Sequence, residues 1–326
     1  MSLMKEIKLN QNTGKAVQLA QAVVMVRPVD FGFNEETALD NEFQQKLDDS
    51  AKVTEQALVE FERMVKRIKA AGIDVLVLEK ADTDYVTPDA VFPNNWFSTS
   101  QDGTLTIYPM FAENRRQERR IDDLTDLLKR EGYQVGPVEQ LADMDEKLEI
   151  LEGTGALVID HKNSVLYASQ SERCHEAQFK RFAEQKGYQA SYLFDTASDN
   201  GKSIYHTNVM MSVGEGFAVI CADCFVDEKE YAEVKASLSL ANEVIEISKE
   251  QMEKHFCGNI LHVKNADQDA FIIMSKSAFN GFTQVQKQQL EQYGQLLVND
   301  IDTIEAVGGG SARCMVAEVF FDKAKP

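Results

Sequence analysis

Near the end of the sequence, Gly308-Gly-Gly-Ser-Ala-Arg-Cys314-Met315 sets a thiol just beyond three consecutive glycines. Residues without Cβ let the backbone take positive φ and approach a ligand closely. Cys314 therefore stands where a bound small molecule can meet a nucleophile. Without further support it would be only a small buried residue before a last strand. A nucleophile needs a base and a group that orients the base. His206, in Tyr205-His-Thr-Asn-Val-Met-Met-Ser-Val213, and Glu152, in Leu151-Glu-Gly-Thr-Gly-Ala-Leu-Val-Ile159, supply both types. Each lies at the mouth of an expected strand, where a rigid scaffold can hold catalytic side chains. A thiol of reference pKa about 8.5 is mostly protonated at neutral pH. His206 is the candidate partner or base, and Glu152 would hold its imidazole and favour the charged form.

Cys221-Ala-Asp-Cys224 asks for a separate reading, because Cys-x-x-Cys can mean zinc or redox chemistry. Zinc would want a second ligand pair at short spacing, and only His255, Cys257 and His262 follow, irregularly. Redox chemistry would want a helix N-terminus, whereas the pair closes the apolar run 216–221. Structural thiols are the expectation, with no metal.

Glu-Gly-x-Gly, then His-Thr-Asn, then Gly-Gly-Gly-x-x-x-Cys-Met is an order that resembles the guanidino-group-modifying (amidinotransferase) superfamily. Phe92-Pro-Asn-Asn-Trp-Phe97, Asn114-Arg-Arg-Gln-Glu118 and Ser171-Glu-Arg-Cys174 fit the same pattern, and the likeness runs from about Val23 to Phe321. The citrulline-utilisation hydrolases look most similar, through Arg27-Pro-Val-Asp-Phe-Gly-Phe-Asn34 and Tyr205-His-Thr-Asn-Val-Met-Met211. The resemblance implies an α/β fold: a five-bladed propeller of ββαβ units with pseudo-fivefold symmetry and a central active site. It implies no cofactor. Cys314 would attack the central carbon of a guanidino or ureido group, and His206 would protonate the departing nitrogen. Water would then release the adduct, with glycine-loop amides near the developing charge.

The deiminases of this superfamily carry an Asp after the Phe-containing motif and another two residues beyond the catalytic His, both pairing with a guanidinium. This chain has Asn95 (or Asn94) and Asn208 there. A carboxylate buried against a neutral ligand costs several kcal/mol, about that of a broken buried ion pair. An amide offers one acceptor and two donors, which suits a ureido group. Arg173 resembles the deiminase Ser-x-Arg-Thr position, with Cys174 in place of Thr. Arg173 and one of Arg115 and Arg116 are candidates to hold a substrate carboxylate, although 115–120 also reads as the solvated start of a helix. Asp30, Asn34 and Glu35 are weaker candidates for an α-amino group. Trp96, the single tryptophan, reads as core.

These residues need elements to position them. Strands are expected at 22–27, 75–79, 105–109, 156–160, 164–168, 209–213, 217–221, 244–247, 260–263, 271–275, 295–298 and 314–320. Helical spacing runs over 41–71, 113–131, 172–186, 228–241 and 283–293. Gly72, Gly132, Gly187 and Gly294 each stop a helix before a short strand, which suits repeated ββαβ units. Without a Pro/Gly/Ser linker, the expectation is a loose arm over 1–18 and one catalytic domain over 19–326.

A net charge of −19 argues against nucleic acid. There is no apolar run of about 18 residues and no signal-like N-terminus, so neither a membrane span nor export is expected. Five irregularly spaced cysteines then suit a reduced cytoplasm, and a homodimer is the default assembly. The reading reached from sequence is a cysteine-dependent hydrolase of the ureido group of citrulline or a relative, giving ornithine, CO2 and ammonia through an S-carbamoyl intermediate. The alternatives are an arginine deiminase, dimethylarginine hydrolase, dihydrolase or amidinotransferase on a guanidino substrate, and a non-catalytic amino-acid-binding protein.

Overall fold

The computed structural model describes residues 16–47, 49–80, 83–141 and 149–324. Among these, fifteen strands form five three-stranded sheets. In chain order they are β1 Ala22–Val26, β2 Asp74–Leu78, β3 Phe97–Thr99, β4 Leu105–Ile107, β5 Val138–Gln140, β6 Val158–Asp160, β7 Val165–Ser169, β8 Ala190–Phe194, β9 Met211–Val213, β10 Phe217–Cys221, β11 Glu243–Ile247, β12 Leu261–Lys264, β13 Ala270–Ser275, β14 Gln295–Asn299 and β15 Ala317–Val319. Every sheet repeats one pattern. A central strand pairs antiparallel with one neighbour and parallel with the other, as β7 does with β6 and β8. The parallel pairs need a crossover, and helices provide it: α1 Ser50–Ala70 between β1 and β2, α2 Ile121–Arg130, α3 Glu176–Gln185, α4 Glu228–Leu238, and α5 Gln284–Glu291 between β13 and β14. The first sheet is completed from the far end of the chain, by β15 pairing with β1.

The antiparallel strands face one another across sheets: β15 lies against β3, β6 against β9, and β9 against β12. Residues ahead of these strands share partners: Asn95 and Glu152 both contact Arg115, and Asn208 and Asn259 both contact Cys314. Asn95 precedes β3, Glu152 precedes β6, Asn208 precedes β9, Asn259 precedes β12 and Cys314 precedes β15. One residue per sheet reaches the same neighbourhood from remote parts of the sequence.

Helix α1 shows how a crossover is written in sequence. Asp49 caps it by accepting from the Lys52 amide, and Val53, Ala57, Phe61, Met64 and Ile68 bury one face at 3.6-residue spacing. Gly72, Gly132 and Gly187 follow α1, α2 and α3 at φ +80°, +87° and +68°, which is helix-stop geometry.

Several expected boundaries shift. The helix expected from 41 starts only at Ser50, because tertiary bonds claim the preceding segment. Phe43 packs on Tyr205 and Phe256, and the Gln45 amide donates to the Ala306 carbonyl. The helix expected over 113–131 breaks after a 3-10 turn, Asn114–Glu118, and resumes at Ile121. Arg115 therefore does not lie on a solvated face; it is buried. His206 and Glu152 do not lead directly into strands. Short helical turns, Thr207–Met210 and Gly153–Ala156, come first. The expected strand 314–320 shortens to β15, since Cys314 turns back through its amide to the Ser311 carbonyl. Trp96 is buried core, packed near Phe97. Of the expected arm, 1–15 lies outside the described residues, while buried Gln18 donates to the Ile159 and Val213 carbonyls. No helix among the described residues is long and apolar enough to cross a membrane.

Candidate active site

Glycine decides the local path at two of the five approaches. Gly309 ends the helix Asp302–Gly308 at φ +62°, and a Cβ there would stand 2.7 Å from the Asn41 amide nitrogen. A Cβ at Gly155 would lie 2.4 Å from the Asn95 amide nitrogen and 2.8 Å from the His206 ring. The Gly155 gap lets Asn95 and His206 approach each other, and the Gly309 gap admits Asn41 beside the chain that leads to Cys314.

His206 and Glu152 meet inside the protein, Nε2 to Oε2 at 2.7 Å, both buried. The other Glu152 oxygen accepts from the Phe111 amide at 2.9 Å. Arg173 and Arg115 approach Oε2 at 3.5 and 3.8 Å. Burial alone would raise the Glu152 carboxyl. The Arg173 charge, the His206 contact and the Arg115 charge outweigh it and bring it to about 2. Burial disfavours the imidazolium, and His206 falls to about 4 despite the Glu152 bond. Glu152 is the ionised member and His206 is neutral at rest. Its Nε2 proton is committed to Glu152, which leaves Nδ1 as the nitrogen for proton transfer.

Cys314 is 3% exposed, and its Sγ lies between two side-chain amides. Asn208 Nδ2 is 3.5 Å away and Asn259 Nδ2 is 3.2 Å away. Asn208 also donates to the Thr154 carbonyl, and Asn259 to the Asn208 carbonyl. Three amides of the glycine loop and its continuation are engaged elsewhere. The Gly309 amide donates to Glu305, that of Arg313 to Asn259 Oδ1 and that of Cys314 to Ser311. The donors at the sulfur are the two asparagines.

Asn95 Oδ1 accepts from Arg115 Nη1 at 2.8 Å, and its Nδ2 donates to Asn94 Oδ1. Arg115 also forks onto Glu118. Burial lifts Glu118 to about 7, against the pull of Arg115. Arg116 donates to the Met110 and Phe111 carbonyls, beside the Glu152-bound amide. Arg173 is buried, with its guanidinium 4.7 Å from the Tyr205 ring centre and forked onto Asp40. Asp30 and Glu35 pair instead with Lys80 and Lys46. Asn34 donates to Asp89.

Sequence reasoning missed Asn259, Asp89 and Asp40. Asn259 had one signal: it stands two residues before an inner strand, as Asn95 does, on a glycine whose Cβ would collide with the Val209 carbonyl at 2.4 Å. Asp89 accepts from Asn34 and Thr37 through Oδ2, while its buried Oδ1 has no partner among the described residues. Cys221 and Cys224 lie apart from this site, sulfurs 3.1 Å apart in the core around β9–β11. His262 is engaged there by the Tyr293 carbonyl and the Glu215 amide.

Residues 27–321 match the family model for N,N-dimethylarginine dimethylhydrolase, eukaryotic. The chain belongs to this family of hydrolases. Solved structures share its fold. The apo arginine dihydrolase ArgZ of the ornithine-ammonia cycle in Cyanobacteria is 15% identical over 91% of this chain, with a TM-score of 0.68. This chain covers only 40% of that protein. The N-terminal domain of ArgZ alone, as a cysteine-to-serine mutant bound to substrate, is matched over 97% of its length, with 15% identity over 91% of this chain and a TM-score of 0.67. The dimethylarginine hydrolase of Pseudomonas aeruginosa, a cysteine-to-serine mutant complexed with citrulline, is 14% identical over 92% of this chain and 100% of its own, with a TM-score of 0.63. No curated protein sequence matches the chain.

Proposed function

We propose that the protein hydrolyses a C–N bond at the central carbon of the guanidino group of an arginine-like amino acid, through a covalent adduct on Cys314. One observation carries the choice of a cationic substrate. Three carboxylates, Asp40, Asp89 and Glu152, are gathered with two guanidiniums, Arg115 and Arg173, beside a Glu118 lifted to about 7, and Asp89 Oδ1 is buried without a partner among the described residues. A buried acceptor left unpaired is costly, and a bound cation supplies both the charge and the donors. The family match and the solved dihydrolase and dimethylarginine hydrolase folds support the same substrate class.

In this reading Sγ adds to the central carbon, held by the amides of Asn208 and Asn259. The thiol proton passes to His206 Nδ1, and the departing amine takes it when its C–N bond breaks. Water then enters, gives a proton back through His206, and expels Sγ, leaving a ureido product. Glu152 keeps the tautomer with Nδ1 free. The five sheets are read as blades of one propeller in a single domain whose axis carries the site. The five free cysteines fit a reducing cytoplasm.

A second reading keeps the same residues on a ureido substrate such as citrulline. Two observations favour it: amides, not carboxylates, stand at Asn95 and Asn208, and Asn95 Oδ1 is already used by Arg115. Here Sγ would retain the carbamoyl group and expel ornithine. Purified protein and its Cys314→Ser variant, given arginine, N,N-dimethylarginine and citrulline separately, distinguish the two. Citrulline with ammonia or dimethylamine, absent in the variant, is the expected result. Ornithine from citrulline alone selects the second reading, and turnover of none overturns both.

A further inference from the structure

We propose that Asp40 is a specificity residue: its carboxylate fills the fork of Arg173, so that a substrate carboxylate has to displace it. The inference rests on the reading above only in assuming an amino-acid ligand in this site. The superfamily resemblance implies that Arg173 grips a substrate carboxylate, yet its donors are taken. Nε donates to Asp40 Oδ2 at 2.7 Å, and Nη2 donates to Asp40 Oδ1 at 2.6 Å and to the Thr37 carbonyl at 3.3 Å. Nη1 faces Glu152 at 3.5 Å. The Arg–Asp pair is the bidentate geometry with which guanidinium recognises any carboxylate.

Asp40 is also placed to leave. Its side chain is 15% exposed where that of Arg173 is 3%. It borders a cavity of about 590 Å³ that Ser171, Glu172, His175, Lys202 and Tyr205 also line. Lys202, which also lines it, is 55% exposed and lies 3.9 Å from Glu42, so the cavity holds a cation as well as the carboxylates of Glu172, Glu176 and Asp195. The segment carrying Asp40 is anchored independently on either side. Asn34 is bound to Asp89, and Asn41 and Gln44 donate to the carbonyls of Gly308 and Gly309. Withdrawal therefore needs a side-chain rotation and not the loss of the segment. Exchanging one carboxylate for another leaves Arg173 little net preference for a substrate that carries one, so Asp40 sets the penalty on carboxylate-bearing ligands.

The test uses pairs that differ only in a carboxylate. Turnover is measured with arginine and agmatine, and calorimetric binding of ornithine and putrescine with the Cys314→Ser protein, each with and without Asp40→Asn. Losing a charge-assisted competitor should lower KM for arginine and Kd for ornithine by roughly tenfold, and move agmatine and putrescine by less than about twofold. Asp40→Glu, which keeps the charge, should leave the carboxylated members weak. A melting curve checks each variant, and Asp40→Ser replaces Asp40→Asn if the latter does not fold. The proposal is overturned if both members of a pair shift together, as a merely structural pair would require, or if the carboxylated member weakens or ornithine fails to bind. Should no guanidino or ureido compound turn over, the ornithine and putrescine comparison still decides the role of Asp40.

Discussion

Replacing Glu152 by Gln tests the resting protonation scheme most directly. The carboxylate holds the Nε2 proton of His206 at 2.7 Å and faces two buried guanidiniums at 3.5 and 3.8 Å. With the Phe111 amide still donating to the retained carbonyl oxygen, the new NH2 points at Nε2. That nitrogen must then become the acceptor, and the proton moves to Nδ1. The base is lost without a change of shape, and kcat should fall about 10²–10⁴-fold. The charge loss acts on stability as well. At an effective dielectric near 20, charges at these two separations interact by about 5 and about 4 kcal/mol. Relief of the Glu152 desolvation offsets much of this, and Arg173 and Arg115 keep Asp40 and Glu118. A net loss of about 3 kcal/mol, the lower end for breaking a buried pair, is expected. Steady-state kinetics and thermal melting measure the two effects separately. A variant with kcat within tenfold of the parent would refute the tautomer argument, whatever its melting temperature.

Gly155→Ala should destabilise by about 1–3 kcal/mol and depress turnover further, because its Cβ enters the space of Asn95 and His206; melting and kcat together check this. Iodoacetamide should label Cys314 in competition with substrate while Cys174 and Cys257, whose thiols burial pushes up to about 12, stay unlabelled; peptide mass mapping that found these two labelled first would contradict the assignment. Asn259→Ala should lower kcat with a smaller change in KM, since the amide touches Sγ; an effect confined to KM would move Asn259 to ground-state binding. Burial raises Glu305 from 4.5 to about 7 beneath the glycine loop. Its contribution to stability is present below pH 4.5 and is lost as pH rises through 7. Glu305→Gln should therefore gain on the parent by up to about 3 kcal/mol between pH 4.5 and 8, and denaturant titrations at both pH values would show a constant difference if the reasoning is wrong.

Most residues of the proposed site could be named from the sequence. Cys314 follows a glycine run, Glu152 precedes Gly153 and Gly155, and His206 is one of five histidines, and such features are local. Helix-stop glycines and apolar spacing likewise revealed the alternation of strands and helices, because backbone freedom and amphipathic faces are properties of short segments. Boundaries at 41–49 and 113–120 were not legible, since Phe43 and Arg115 are held by Tyr205, Asn95 and Glu118 more strongly than helix propensity holds them. Nor could the sequence show that Asn259 reaches Sγ, that Asp40 occupies Arg173, or that Asp89 Oδ1 has no partner among the described residues. Those facts depend on five sheets bringing residues remote in sequence, such as Asn41 and Gly308 at 267 positions apart, within hydrogen-bond reach. Residue chemistry is written locally, whereas charge balance and donor occupancy are sums over neighbours that only the folded chain assembles.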